Sequence, residues 1–215
     1  MSKVVVLDYG ASNLRSVAKA LLYVADNRHD IIVSNQAGEI LAADRVVFPG
    51  QGAIGQCMTS LRSRGLDQII KECITSRPFL GICLGLQTLM ENSDEDGGVV
   101  GMGIIPGRVI RFRDRVRDPQ GNIFKIPHMG WNNVNRQLEH PLWKDIEDGA
   151  RFYFVHSYYV VPADDTLIAA TTDYTTTFAS AVAMANIFAT QFHPEKSQRA
   201  GLTLLKNFLS WDGKI

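Results

Sequence analysis

The chain has 215 residues, 46% hydrophobic and 20% charged, which is enough to bury a sizeable core and unlike a disordered segment. Its 22 basic and 22 acidic residues cancel, so bulk charge suggests neither a nucleic-acid nor an anionic-membrane partner. No stretch approaches the about 18 apolar residues of a membrane span, and no N-terminal segment has the layout of a secretory signal. The cysteines, Cys57, Cys73 and Cys83, are too few and odd in number for a disulfide framework, which points to a reducing, cytoplasmic setting.

Read in chain order, the first half alternates strand and helix. Lys3 to Leu7 is a β-branched run and predicts a buried parallel strand. A helix is expected from about Ser12 to Val24, with Leu14, Val17, Leu21 and Val24 at helical spacing. Ile31 to Val33 is a second strand, and Arg45 to Phe48 a third, ended by Pro49-Gly50. A helical region spans roughly Ile54 to Thr75, broken near Gly65. Pro78 to Ile82 is a short buried strand, and Leu84 to Glu91 the helix after it. This order predicts one 1–215 domain built on a doubly wound, mostly parallel sheet flanked by helices, with ligands at the carboxyl ends of the strands.

The second half changes character. Glycines crowd 97–107, and strand patterns follow at about 104–112, 122–126, 152–161, 167–172, 179–184 and 187–192. They read as additional, partly antiparallel strands on the same domain. Arg113 to Asn122 reads as an exposed loop, and a last helix of about 198–210 carries Leu202, Leu205, Phe208 and Leu209 on one side.

The chemistry centres on Gly81-Ile82-Cys83-Leu84-Gly85. A residue pinched between strand and helix, with glycine two positions away on each side, has the layout of a nucleophile elbow. The glycines remove side chains that would collide in so sharp a turn. The unpaired N–H groups of a helix start favour a thiolate. Cys83 is therefore either a nucleophile or, like most free cysteines, a buried small hydrophobe. A second constellation, Gln191-Phe192-His193-Pro194-Glu195, bears on that choice. In extended backbone His193 and Glu195 point to the same side. A carboxylate there can fix the imidazole tautomer and leave the other ring nitrogen free as a base. Taken alone, the motif reads first as a His-Pro turn with a surface Glu; with the elbow, a Cys-His-Glu triad is the stronger reading. Phe48-Pro49-Gly50-Gln51-Gly52 adds a glycine-rich turn able to aim backbone N–H groups inward. Acyl transfer needs such donors for its oxyanion. The expected donors are the N–H of Leu84 and one from Gln51 or Gly52.

Together, Pro-Gly-Gln-Gly, Gly-Ile-Cys-Leu-Gly-Leu-Gln and Gln-Phe-His-Pro-Glu-Lys resemble the class I (triad) glutamine amidotransferases. Pro127-His128-Met129-Gly130-Trp131-Asn132, Tyr153-Phe154-Val155-His156-Ser157-Tyr158 and the opening Asp8-Tyr9-Gly10-x-x-Asn13-Leu14 are similar to the glutaminase subunits of imidazole glycerol phosphate synthases. Gln51 stands where those subunits commonly have Val, and Leu86 where they often have Met. The resemblance implies that Cys83 attacks the glutamine side-chain amide, His193 moves the proton and Glu195 orients His193. It implies that Gly52, Gln87, Ser157 and Tyr158 hold glutamine; no cofactor is expected, and no metal, since the histidines are scattered without metal-ligand spacing. It also implies that ammonia passes to a (β/α)8-barrel cyclase, making imidazole glycerol phosphate and aminoimidazole carboxamide ribonucleotide. A barrel takes roughly 250 residues, so the cyclase is expected as a separate chain in a heterodimer. His128, Trp131 and Tyr153 are expected to face it, with Lys196 beside the catalytic strand. Composition alone would make His128, Met129 and Trp131 an ordinary core cluster.

The remaining conspicuous residues have plainer readings. His156 reads as a hydrogen-bonded structural histidine, Cys57 and Cys73 as packing residues, and His29 and His140 as turn-flanking. Two other functions fit the same triad pattern. One is a glutaminase serving a pyridoxal phosphate, anthranilate or GMP synthase; the other is an inactive glutaminase-like module that binds and regulates a partner. Pro-His-Met-Gly-Trp-Asn argues against the first, and the intact Cys83, His193 and Glu195 against the second.

Overall fold

The computed structural model describes residues 1–11 and 13–214. The first half runs β1 (Ser2–Leu7), α1 (Leu14–Val24), β2 (His29–Ser34), α2 (Ala37–Leu41), β3 (Arg45–Gly50), α3 (Ile54–Ser63), α4 (Leu66–Cys73), β4 (Phe79–Cys83) and α5 (Leu84–Gln87). The second half begins with the short strands β5 (Asn92–Ser93) and β6 (Val99–Val100), then β7 (Gly107–Arg111), β8 (His128–Asn133) and β9 (Asn135–Arg136). β10 (Arg151–His156), β11 (Tyr158–Pro162), β12 (Ile168–Asp173), β13 (Thr177–Met184), β14 (Ile187–Thr190) and α6 (Gln198–Ser210) complete it.

Strands β2, β1, β3, β4 and β14 lie side by side and parallel. Beyond β14 the sheet continues antiparallel through β13, β11 and β7. Period-two alternation divides β1 between two layers. Val4 and Val6 pack with Leu14, Val17 and Leu21 of α1 and with Leu204, Leu205 and Phe208 of α6. Val5 and Leu7 pack with Ile54, Met58 and Leu61 of α3 and with Leu66 and Ile70 of α4. All four β1 side chains are fully buried, worth about 1.5–3 kcal/mol each. That two-sided burial is why the run is uniformly apolar. The doubly wound sheet with added antiparallel strands is thus the architecture found.

The departures have local causes. Ser12, the expected start of α1, lies outside the described residues. The Ile54–Thr75 helical region is broken at Gly65 as expected, where a left-handed φ of 66° separates α3 from α4. α2 is too short for its periodicity to register. The helix after Cys83 stops at Gln87 and does not reach Glu91. The N–H groups of Leu89 and Met90 reach only three residues back, to the Leu86 and Gln87 carbonyls, and that of Glu91 goes to the Gly107 carbonyl; beyond the helix, the carbonyls of Thr88, Leu89 and Met90 accept from Met102, from Ile104 and Ile105, and from Gly103. The same commitment delays the strand expected from 104 until Gly107. The stretch 122–126 forms an isolated bridge, Arg117 to Ile123, within a loop whose turn is tied by Asp118 to Gln120 and Asn122. The stretch 152–161 is two strands broken at Ser157. β10 pairs with β8 in a separate two-stranded sheet, and β11 joins the main one. Burial at 152, 154, 156, 160 and 162 keeps its phase through the break, so alternation could not reveal it.

Candidate active site

Three neighbouring strand ends assemble the site. In the parallel register Gly50 is level with Cys83, and Thr190 is level with Ile82. The turn after β3, the last residue of β4 and the segment after β14 therefore meet at one sheet edge.

Cys83 ends β4 with φ 54° and ψ −104°, a strained conformation for a side-chain-bearing residue that costs on the order of 1–3 kcal/mol. Close packing holds it. A Cβ on Gly85 would collide with the backbone carbonyl of Phe48, and one on Gly50 would stand 2.7 Å from Leu84 Cβ. The glycines of the elbow thus let α5 start directly against β3. α5 is a single turn, so its N-terminal effect comes from a few N–H groups, that of Leu84 among them.

His193 Nδ1 lies 2.8 Å from Glu195 Oε1, and both side chains are buried. The backbone is extended at His193 but turns at Pro194, where a short 3-10 helix covers Pro194–Lys196; this turn, not an extended strand, returns the carboxylate to the ring. Ser197 fastens it, since its hydroxyl donates to the His193 carbonyl at 2.6 Å and accepts the Tyr153 N–H at 2.9 Å. Among the described residues no hydrogen bond of normal geometry reaches His193 Nε2, and the Cys83 sulfur is the neighbour that acts on it. Burial works against an imidazolium there, but Cys83 and Glu195 outweigh it and raise His193 to about 10. The arrangement suits a thiolate–imidazolium pair braced by a carboxylate.

The sulfur opens into a cleft of about 210 Å³. Gln51, Gly52, Leu84, Gln87 and Val155 to Tyr158 line it. Gly52 takes a φ of 96° with open space around its Cα, whereas Gly50 is tightly packed, so freedom in this turn resides at Gly52. Gln87 Nε2 donates to the Tyr158 carbonyl at 3.0 Å and to Gln191 Oε1 at 3.1 Å, and Gln191 Nε2 reaches Cys83 Sγ at 3.6 Å. Cys83, the expected oxyanion donors and the expected glutamine contacts therefore line one cleft, while His193 and Glu195 are buried beside the sulfur and do not line it.

The residues expected to face a partner divide. Trp131 is 37% exposed and stands edge-on to Tyr153, with ring centroids 6.2 Å apart. Lys196 Nζ lies 5.8 Å over the Tyr153 ring. His128 is not at the surface: it is buried, stacked on Phe154 and Tyr174. Alternation along β8 explains the split, since His128 and Asn132 point inward while Met129 and Trp131 point outward.

Sequence reasoning passed over several contributors. Glu95 lines the cleft and accepts the Ile54 N–H at 2.9 Å, and burial raises its carboxyl. It sits in a short acidic, glycine-rich stretch that resembles any surface turn. Gln191 was visible only as part of the His-Pro-Glu motif. Gly201 lies in α6, where a glycine registers merely as a weak helix former. Tyr9 is buried with its hydroxyl beside the turn after β3: a Cβ on Gly50 would stand 2.8 Å from it.

The plainer readings also have structural counterparts. Cys57 and Cys73 are buried, and burial pushes the Cys57 thiol up to about 12. His156 donates from Nδ1 to the Tyr158 carbonyl at 2.8 Å. Among the described residues, no group of three or more His, Cys, Asp or Glu side chains has metal-binding geometry, and no helix is long and apolar enough to cross a membrane.

The sequence profile of the class-I glutamine amidotransferases matches residues 5–211. A protein of Aromatoleum aromaticum named imidazole glycerol phosphate synthase subunit HisH is 55% identical over 98% of this chain and 99% of its own length. A Nitrosococcus oceani protein of the same name is 56% identical over 99% of both chains. Among solved structures, a glutamine amidotransferase superposes with a TM-score of 0.70 at 14% identity, over 96% of this chain and 97% of its own. The glutaminase domain of Trypanosoma brucei CTPS superposes with a TM-score of 0.63 at 16% identity, over 98% and 92%. At those identities the structural matches speak for the fold alone.

Proposed function

This chain belongs to the class I glutamine amidotransferase family, and on that premise we propose that it is the glutaminase subunit of imidazole glycerol phosphate synthase, with Cys83, His193 and Glu195 as its catalytic triad. The observation that carries the chemical reading is the buried His193–Glu195 pair beside a sulfur held at a strained elbow and open to a cleft.

Glutamine enters with its side-chain amide at Cys83. The thiolate attacks the amide carbon, and the C–N bond breaks as the His193 imidazolium protonates the departing nitrogen, so ammonia leaves and a γ-glutamyl thioester remains. His193, now neutral, takes a proton from water, whose oxygen attacks the thioester carbon. Glutamate leaves, and the proton returns the pair to thiolate and imidazolium. Glu195 keeps the proton on Nδ1, so that Nε2 faces the sulfur. The negative oxygen of each tetrahedral intermediate is met by the Leu84 N–H and by a backbone N–H of Gln51 or Gly52. Gln87, Ser157, Tyr158 and Gly52 hold the substrate, and the Glu95 carboxylate on the cleft wall offers a counter-charge for its α-ammonium group.

The ammonia serves histidine biosynthesis. It passes to a separate (β/α)8-barrel cyclase subunit in a heterodimer, which forms imidazole glycerol phosphate and aminoimidazole carboxamide ribonucleotide. Met129 and Trp131 on the outer face of β8, with Tyr153 and Lys196, supply the docking surface near the cleft. Large aromatics at an interface centre are common energetic anchors. Free thiols throughout suit a cytoplasmic protein. The test is glutamine-dependent formation of imidazole glycerol phosphate with the cyclase added. Product is expected with the wild-type chain and none with Cys83→Ser; a Cys83→Ser variant that still consumes glutamine refutes the triad assignment.

A further inference from the structure

Two buried histidines that the mechanism above does not use stand at the cleft wall, His156 on the cleft lining and His128 behind it. His128 Nδ1 and His156 Nε2 are 3.0 Å apart, and neighbouring groups fix the direction of the bond between them. At one end, Asn132 Oδ1 accepts the Asn133 N–H at 2.8 Å and its Nδ2 donates to the Asp173 carbonyl at 2.8 Å. The amide NH2 therefore faces His128 Nε2, 3.3 Å away, and that nitrogen must accept. At the other end His156 Nδ1 lies 2.8 Å from the Tyr158 carbonyl, which has only lone pairs to offer, so Nδ1 must carry a proton. Each ring is thus left with one neutral tautomer, proton on Nδ1, and the donors run in one direction: Asn132 to His128, His128 to His156, His156 to the Tyr158 carbonyl.

We infer that His128 and His156 are positioning residues, which hold the Ser157–Tyr158 wall of the glutamine cleft in register from the inner face of β8. The Tyr158 carbonyl is the junction. It accepts from His156 on one side and from Gln87 on the other, and Gln87 leads through Gln191 to the Cys83 sulfur. Burial of both rings supports the arrangement, since it lowers His128 to about 4 and His156 to about 3 and so keeps both neutral near pH 7. The competing explanation is aromatic packing alone. His128 stacks on Phe154 at 4.8 Å and on Tyr174 at 4.0 Å, contacts that a phenyl ring would also make. The line also joins two surfaces, because the outer face of the same strand carries the exposed Met129 and Trp131. A displacement of β8 from outside reaches the cleft wall through its inner anchors.

The inference rests on the glutaminase reading for the identity of the bound ligand, and the experiment separates the two. In the wild-type chain, 15N NMR of the imidazoles is expected to show protonated Nδ1 and bare Nε2 on both rings, whatever the cleft binds. In the complex with the cyclase, His128→Phe is expected to fold and dock normally but to raise KM for glutamine about tenfold, the effect of losing one hydrogen bond, with kcat changed less than KM. His128→Asn, whose amide nitrogen can take the place of Nδ1, is expected to restore most of the loss. A proton on Nε2 of either ring overturns the inference, as does a His128→Phe variant with wild-type KM or a His128→Asn variant no better than His128→Phe. Should His128→Phe fail to fold, the wild-type tautomers and the His128→Asn KM still decide the matter. A wild-type complex that does not hydrolyse glutamine refutes the glutaminase reading, while the tautomers still judge the hydrogen-bond line.

Discussion

Gly201, well outside the cleft, is where a single methyl group should disable the triad. It lies in the first turn of α6, packed under the Pro194 turn that carries Glu195. A Cβ there would stand 2.7 Å from the Pro194 carbonyl carbon and 2.8 Å from Ser197 Cβ, with the Pro194 oxygen nearer still, against a floor of 3.0 Å for real Cβ contacts. Helix propensity by itself makes Gly201→Ala stabilising by about 1 kcal/mol. Overpacking against rigid backbone costs about 1–3 kcal/mol, and here the obstacle is a peptide rather than a flexible side-chain end, so overpacking wins and the melting temperature falls. The Pro194 peptide must back away by on the order of 1 Å, carrying Glu195 from its 2.8 Å bond with His193. A misplacement of about 1 Å can cost about 10²-fold in rate. Glutamine hydrolysis by the complex should therefore drop about 10²-fold, while cyclase turnover with ammonium salts stays unchanged. Gly201→Ala with wild-type glutaminase kcat and a raised melting temperature would refute the packing argument.

Cys83→Ser should abolish glutamine hydrolysis while preserving partner binding and ammonium-dependent turnover, because a hydroxyl ionises far less readily than a thiol; kinetics with each nitrogen source checks this. Trp131→Ala should weaken docking and leak ammonia more than it lowers stability, since the ring is partly exposed; loss of the folded state instead would make Trp131 a core residue. Burial lowers His128 and His140 to about 4 and His156 to about 3 from an ordinary 6.5, so the unfolded chain binds protons that the folded chain refuses. Stability should accordingly fall as pH drops from 6.5 towards 4, by about 1.4 kcal/mol per pH unit for each histidine; urea midpoints against pH test this, and His140→Asn should flatten the slope by about one proton. The chain alone should be a poor glutaminase, activated by the cyclase and further by a cyclase substrate analogue, because the uncrowded Gly52 leaves the oxyanion turn room to reorient. One misdirected donor costs about 10²–10³ in rate; equal rates in all three states would contradict a gated turn.

What could be read from the sequence was what depends on local pattern. Val4 to Leu7 announce a two-sided strand, and the glycines around Cys83 announce a sharp turn whose collisions are visible in the structure at Gly85 and Phe48. Cys83, His193 and Glu195 could be grouped because each belongs to a short motif at a strand end. What could not be read depends on contacts between distant segments. The end of α5 depends on the Glu91 N–H going to the distant Gly107 carbonyl. The burial of His128 follows from which face of β8 turns inward, and Pro-His-Met-Gly-Trp-Asn marks importance without direction. Glu95 reaches the cleft from a turn with no motif, and Gly201 matters only because Pro194 lies against it.

The most direct test of the central claim is to trap the covalent intermediate. The complex with the cyclase is mixed with isotopically labelled glutamine, quenched in acid within one turnover, digested and examined by mass spectrometry. The account predicts a γ-glutamyl thioester on the peptide containing Cys83, absent from Cys83→Ser and longer-lived when His193 is replaced. Label on another residue, or steady glutamine turnover with no label on Cys83 at any time, would contradict it.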